Sequence, residues 1–209
     1  FMLMDQIINE CIINGLTYQE YLKLVNDLVA EKRTTGLEQS EERISYTKLN
    51  ASRMRRLDKT LVVPREDIES FKNCGENQTW LVLSESWCGD AAQTIPVLNK
   101  IAEEVAHIDL KIVLRDDNLE LMNRFLTNGS QSIPKLIVLD DNNEVLGSWG
   151  PRSKKATKLV TDYKDQHGII DAKFKEDLQL WYNKDKGREI MNDLKEEICC
   201  FEYPEPSFI

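Results

Sequence analysis

Cys88 stands where the apolar run Trp80-Leu81-Val82-Leu83 gives way, through Ser86-Trp87, to a helical pattern carrying Ile95, Leu98 and Ile101. A sulfur at the head of a helix meets unpaired N–H groups and the positive end of the helix dipole, which favour thiolate over thiol. The carboxyl end of a strand in an open α/β sheet is also where ligands bind. The residue types therefore point to nucleophilic sulfur chemistry. A dithiol centre of the Cys-x-x-Cys kind needs a second sulfur at position 91, and Ala91 stands there. No local disulfide can close. Asp90 suits a helix start but opposes a neighbouring thiolate, so its net effect on Cys88 has no sign at this level.

Other residues compete for roles around Cys88. Cys74 precedes the strand that ends near Cys88, and six or seven strand residues separate the two ends by about 20 Å, whereas a disulfide needs Cα atoms within about 7 Å. Cys11 and the pair Cys199-Cys200 stay open as resolving thiols, the plainer reading of each being a buried small hydrophobe. Arg115-Asp116 ends a strand at the same sheet edge as Cys88, where Arg115 could hold a carboxylate or pair with an adjacent aspartate. Trp149-Gly150-Pro151-Arg152 closes the last strand, with Arg152 read as solvated. Arg53 and Arg56 share a helix face and could cap the site, although a surface face is the simpler reading. His107 and His167 sit in no Cys/His ligand pattern, so neither a metal nor a cofactor is expected.

The elements that must position these groups follow from periodicity. Phe1 to Leu16 reads as an amphipathic helix rather than a leader, for it lacks a basic start and a small-residue cleavage site. Thr17-Tyr18-Gln19-Glu20 has the capping-box form and opens a helix over about 18–33, and a second helix follows over about 41–58. Strands are expected near 60–63, 79–85, 110–114, 135–139 and 144–149, the last two forming an antiparallel hairpin around Asp140-Asp141-Asn142-Asn143. Helices are expected near 65–73, 91–106, 117–127, 153–166 and 172–198, with Gly168 and Gly187 as interruptions and an extended tail at Pro204-Glu205-Pro206. The implied fold class is α/β with a mixed sheet. The division is an N-terminal helical extension over 1–59, a central domain over 60–167 and a C-terminal helical extension over 168–209.

Composition narrows the partners. With 36 acids against 27 bases, the net charge of -9 argues against nucleic acid. No window approaches the roughly 18 apolar residues of a membrane span. Five cysteines without a disulfide-framework spacing suit a reducing cytoplasm.

The segment Ser84-Glu85-Ser86-Trp87-Cys88-Gly89-Asp90, with Ser132-Ile133-Pro134 leading into a later strand, resembles the thioredoxin superfamily. More narrowly it resembles bacterial thioredoxin-like proteins with an N-terminal helical extension. The resemblance covers about residues 60–167. It implies a cis Ile133–Pro134 bond whose loop lies against Cys88 and offers Ile133 backbone to an extended substrate, with Trp87, Gly89, Asp90 and Arg115 around it. The chain departs from that pattern at Ala91, at Val82, where the family usually buries an acid, and at Asp90, where proline is usual. The run Lys135-Leu136-Ile137-Val138 lacks the glutathione-binding Gly-Gly-Asp segment of monothiol glutaredoxins, so iron-sulfur carriage is not implied. Two functions follow as expectations. One is a monothiol oxidoreductase, in which Cys88 forms a mixed disulfide with a protein or low-molecular-weight partner and an external thiol releases it. The other is a redox-inactive module that holds a peptide or protein in the cis-proline groove.

Overall fold

A computed structural model describes residues 2–198 of the chain. Its helices are α1 (Met2–Asn14), α2 (Tyr18–Ala30), α3 (Glu41–Thr60), α4 (Arg65–Lys72), α5 (Gly89–Glu104), α6 (Leu119–Met122), α7 (Lys154–His167), α8 (Ala172–Asp185) and α9 (Arg188–Ile198). Its strands are β1 (Gln78–Ser84), β2 (Ile108–Leu114), β3 (Lys135–Leu139) and β4 (Val145–Trp149). They form one mixed sheet in the order β2-β1-β3-β4.

Local chemistry explains the element starts. The Thr17 hydroxyl accepts from the Glu20 amide at 3.2 Å while the Glu20 carboxylate accepts from the Thr17 amide at 2.8 Å, closing the capping box of α2. Ser40 caps α3 through its hydroxyl alone, which accepts from the Arg43 amide at 3.4 Å. The N-cap of α5 is Cys88 itself, which puts the sulfur where a helix leaves donors unpaired.

β1 is buried on both faces, as a central strand covered by helices must be. Trp80 and Val82 face a core shared with α2, α3, α5 and α9, while Leu81 and Leu83 face a second core holding Ile8 and Cys11 of α1 and Leu121 and Met122 of α6. The N-terminal helices thus supply core on both sides of the sheet. The chain after α1 also bridges the β2 edge, with Leu16 and Ile112 exchanging two backbone hydrogen bonds of 2.8 Å.

Pairing direction brings the site together. β2 runs parallel to β1 and pairs Leu114 with Ser84, so Arg115 emerges beside the end of β1. β3 runs antiparallel to β1 and pairs Lys135 with Leu83, so the loop before β3 returns to that same edge. Both Ile133–Pro134 and Gly150–Pro151 are cis. Gly150 has φ 116°, and a Cβ there would stand 2.3 Å from the Pro134 carbonyl oxygen, so the two proline loops pack more closely than any other residue allows.

Two expectations need correction. The strand expected at 60–63 is not a strand: α3 runs to Thr60, the Leu61 amide bonds back to Leu57, and Pro64 has no amide to give to a ladder. Leu61 and Val63 are buried and Val62 exposed, so the alternation reflects an extended segment laid on the core. The helix expected at 117–127 shrinks to α6, after which single turns lead to Asn128 and Gly129, both at positive φ, and reverse the chain. The interruption expected at Gly187 is present: Lys186 and Gly187, both at positive φ, separate α8 from α9, and a Cβ on Gly187 would lie 2.7 Å from a Val97 methyl. The tail expected at 204–206 lies outside the described residues.

Val63→Ala is expected to cost about 2 kcal/mol, and Val62→Ala to stay within about 0.5 kcal/mol, in urea denaturation. Equal losses at the two positions would contradict the unpaired reading of this segment.

Candidate functional site

Cys88 lies half-buried at the floor of a groove of about 990 Å³, lined also by Trp87, Gly89, Asp90, Arg115 and Ile133. The structure therefore gathers the sequence-derived candidates at one place. Pro134 is buried behind Ile133 and is not among the groove's lining residues. The groove has two further walls that the central sheet does not supply. One is α3 and the loop before it, with Glu38, Arg43, Tyr46 and Arg53; the other is α8, with Leu178 and Gln179.

The sulfur is held between two backbone groups. It accepts from the Ala91 amide at 3.4 Å and donates to the Ile133 carbonyl at 3.4 Å. A carbonyl oxygen stabilises a thiol and not a thiolate, so the Ile133 contact opposes the helix-start contact. Burial pushes the Cys88 thiol up to about 12, and the Asp90 carboxylate adds to the rise. The Ala91 and Asp90 amides and the Arg152 guanidinium oppose it without prevailing. At neutral pH these effects favour the thiol form. Desolvation thus opposes the reactivity that a helix N-terminus alone would give.

Asp90 is fully engaged. It pairs with Arg152 at 2.7 Å and accepts from the Tyr182 hydroxyl of α8 at 2.8 Å. Arg152, read from sequence as solvated, is instead half-buried against this pair. Arg115 pairs with Asp116 at 2.8 Å and stands 5.2 Å from the Trp87 ring centroid, while Arg43 stands 4.3 Å from it. Arg53, whose simpler reading was a surface face, lines the groove, and Arg56 turns to Asn183 of α8 at 2.6 Å.

Val82 is buried, as an apolar residue in the core, where the resemblance implied an acid. A buried acid exists nearby at Glu85, which the sequence reading missed because it followed the position and not the strand end. Burial raises its carboxyl, the Thr35 hydroxyl and the Asp116 amide hold it down, and the Asp116 amide bond measures 2.9 Å. Its signal in the sequence was a lone glutamate between a fully apolar strand and a helix start.

No second free sulfur stands beside Cys88 among the described residues. Cys11 is buried in the second core and donates to the Asn118 side chain at 3.3 Å. Cys74 is disulfide-bonded and half-buried, and Cys199 and Cys200 lie outside the described residues. Among the described residues no cluster of three or more His, Cys, Asp or Glu side chains could hold a metal, and no helix is long and apolar enough to cross a membrane.

Alkylation of Cys88 by iodoacetamide is expected to keep rising above pH 9, where an ordinary thiol with a value of 9.0 levels off, because the folded protein retains the thiol form. Asp90→Asn removes a charge that opposes the thiolate and leaves Arg152 unneutralised, so the profile moves to lower pH and the rate at pH 8 rises several-fold. An unchanged profile would assign the shift to burial alone.

Comparison with known proteins agrees with this geometry. The chain is 29% identical over 106 residues to a thioredoxin from Chlamydia pneumoniae, a match covering 49% of this chain and 96% of that one. A solved protein of unknown function from Pseudomonas aeruginosa shares the fold at TM-score 0.56 and 17% identity, covering 88% of this chain and 97% of its own. An HIV epitope-scaffold matches at TM-score 0.52 and 18% identity, covering 88% and 98%. Those two likenesses concern the fold and include its helical ends. The thioredoxin family matches residues 36–164, more than half of the chain, and this protein, with its single cysteine between Trp87 and Gly89, belongs to that family.

Proposed function

We propose that the chain uses the thioredoxin scaffold as a binding module, holding a partner in the groove over Cys88 without dithiol turnover. The observation that carries this reading is the state of the sulfur, a thiol donating to Ile133 and raised to about 12 by burial and Asp90. Two further facts support it. Ala91 provides no resolving sulfur, and the other free cysteine among the described residues, Cys11, is buried in a different core. The groove walls contributed by α3 and α8 enlarge what a partner would meet.

Monothiol exchange is the second reading, and what favours it is the half-exposed position of Cys88 beneath the arginine-rich groove. In that reaction Cys88 loses its proton to solvent and attacks one sulfur of a substrate disulfide. The substrate S–S bond breaks, the leaving thiolate takes up a proton, and a second, external thiol later displaces Cys88. The partner then is a protein or a low-molecular-weight disulfide.

Mass spectrometry of the protein after incubation with oxidised glutathione at pH 7, run beside an insulin-reduction assay, separates the two. The binding-module reading expects no insulin reduction and adduct formation no faster than for an ordinary exposed thiol. Rapid stoichiometric adduct at Cys88 without insulin reduction would transfer the assignment to monothiol exchange, and efficient insulin reduction would overturn both.

A further inference from the structure

We propose that Arg53, Gln179 and the bare Cα of Gly89 form a carboxylate site at the mouth of the groove, and that the ligand is a small molecule bearing a carboxylate. The inference rests on the binding-module reading and specifies the occupant's chemistry.

Three of the four groove arginines are already neutralised. Arg43 pairs with Glu38 at 3.0 Å, Arg115 with Asp116 at 2.8 Å and Arg152 with Asp90 at 2.7 Å. Arg53 has no carboxylate within ion-pair distance among the described residues. Its one hydrogen-bond partner there is the neutral Asn50 side chain, at 2.9 Å. Asn50 in turn donates to the Ser86 carbonyl at 2.9 Å, so the guanidinium is fixed to the loop that carries Cys88. A half-buried cation without an ion-pair partner is costly: burial together with Arg56 pushes its proton affinity down, and Tyr46 and Asp90, the latter already paired with Arg152, offset this only in part. A bound anion would remove that cost.

Gln179 supplies an independent second donor. Its Oε1 accepts from Gln93 Nε2 at 2.9 Å, which turns its own Nε2 toward the groove with no acceptor among the described residues. A methyl group built on Gly89 would lie 3.1 Å from that Nε2 and 3.3 Å from Arg53 Nη1. The two donors thus stand side by side against the Gly89 backbone, where a side chain would crowd both. Two converging N–H groups, one of them charged, match the paired oxygens of a carboxylate.

Size and charge choose a small ligand. A groove of about 990 Å³ is within the range that encloses small molecules. Tyr46, Ile170 and Leu178 give it an apolar lining beside the donors, and the exposed acids Glu42 and Glu176 stand at its rim. The net charge of -9 opposes approach of an acidic macromolecule far more than that of a compact anion, which a local cation can draw in.

The test is an NMR titration of the full chain with succinate and, separately, with its dimethyl ester, following Arg53 Nε–H, the Gln179 side-chain amide and the Gly89 amide. Saturable shifts of all three are expected with succinate up to about 100 mM, the regime of weak single-anchor binding, and none with the ester. Arg53→Met removes the cation and Gly89→Ala crowds both donors without changing charge; each is expected to weaken succinate binding at least tenfold. Absence of saturable shifts, equal shifts with the ester, or unchanged binding in Arg53→Met would overturn the site. The ester arm uses unaltered protein and so stands even if a variant misfolds. An acidic peptide binding at least tenfold more tightly than succinate would overturn the assignment to a small ligand. Insulin reduction by the unaltered protein would end the binding-module reading and leave the titration result in place, so the two failures are distinguishable.

Discussion

The Ser86 peptide unit, two residues before the candidate sulfur, is fastened from three directions by the segment joining α2 to α3 and by α3 itself. Its hydroxyl meets the Thr47 hydroxyl at 2.9 Å, the Thr34 hydroxyl at 3.2 Å and the Thr35 amide at 3.1 Å. Its amide donates to Thr35 Oγ1 at 2.9 Å and its carbonyl accepts from Asn50 at 2.9 Å. All these residues are buried. Each such bond contributes only about 1 kcal/mol net, but a member left unpaired costs about 1–3 kcal/mol, so the network holds as a unit. The orientation of Cys88, the position of Arg53 through Asn50, and the containment of Glu85 beside Thr35 all follow from it. The N-terminal helices are therefore part of the site's scaffold.

At Cys88 two physical effects of opposite sign compete. The N-cap position offers an amide at 3.4 Å and a favourable dipole, which lower a thiol's pKa. Desolvation by the helices packed over the sheet raises it, and Asp90, fixed by Arg152 and Tyr182, raises it further. Burial prevails because the extension helices exclude solvent from a position that an uncovered sheet edge would leave open. The same coverage turns a shallow edge into a groove with charged and apolar walls, a change that serves recognition more than electron transfer.

Much of this was legible in residue order. The apolar run at 80–83, the helical repeat after Cys88 and the polar turn at 140–143 located β1, α5 and the β3–β4 hairpin, because local periodicity and turn chemistry act within a few residues. The strand expected at 60–63 failed for a nonlocal reason: Leu61 and Val63 alternate as a strand's residues do, but the segment packs on the core without joining the sheet. The eleven residues after Asp116 failed differently, since helix propensity there yields to a reversal at Asn128 and Gly129. At the site, Ala91 and Val82 could be read directly as a missing sulfur and a missing acid, whereas Glu85, Gln179 and the inward turn of Arg53 could not.

What the sequence determined by itself is the presence of one cysteine at a strand-to-helix junction, the absence of a sulfur three residues on, and a strand end that carries Arg115 to the same sheet edge. These depend on residue identity and short-range pattern. The tertiary structure alone decided that burial opposes the thiolate of Cys88, that Asp90 is locked to Arg152 and Tyr182, and that Arg53 meets Gln179 beside Gly89. Those outcomes depend on how far water is excluded and on which side chains from distant segments arrive together, and both are properties of packing that no local spacing encodes.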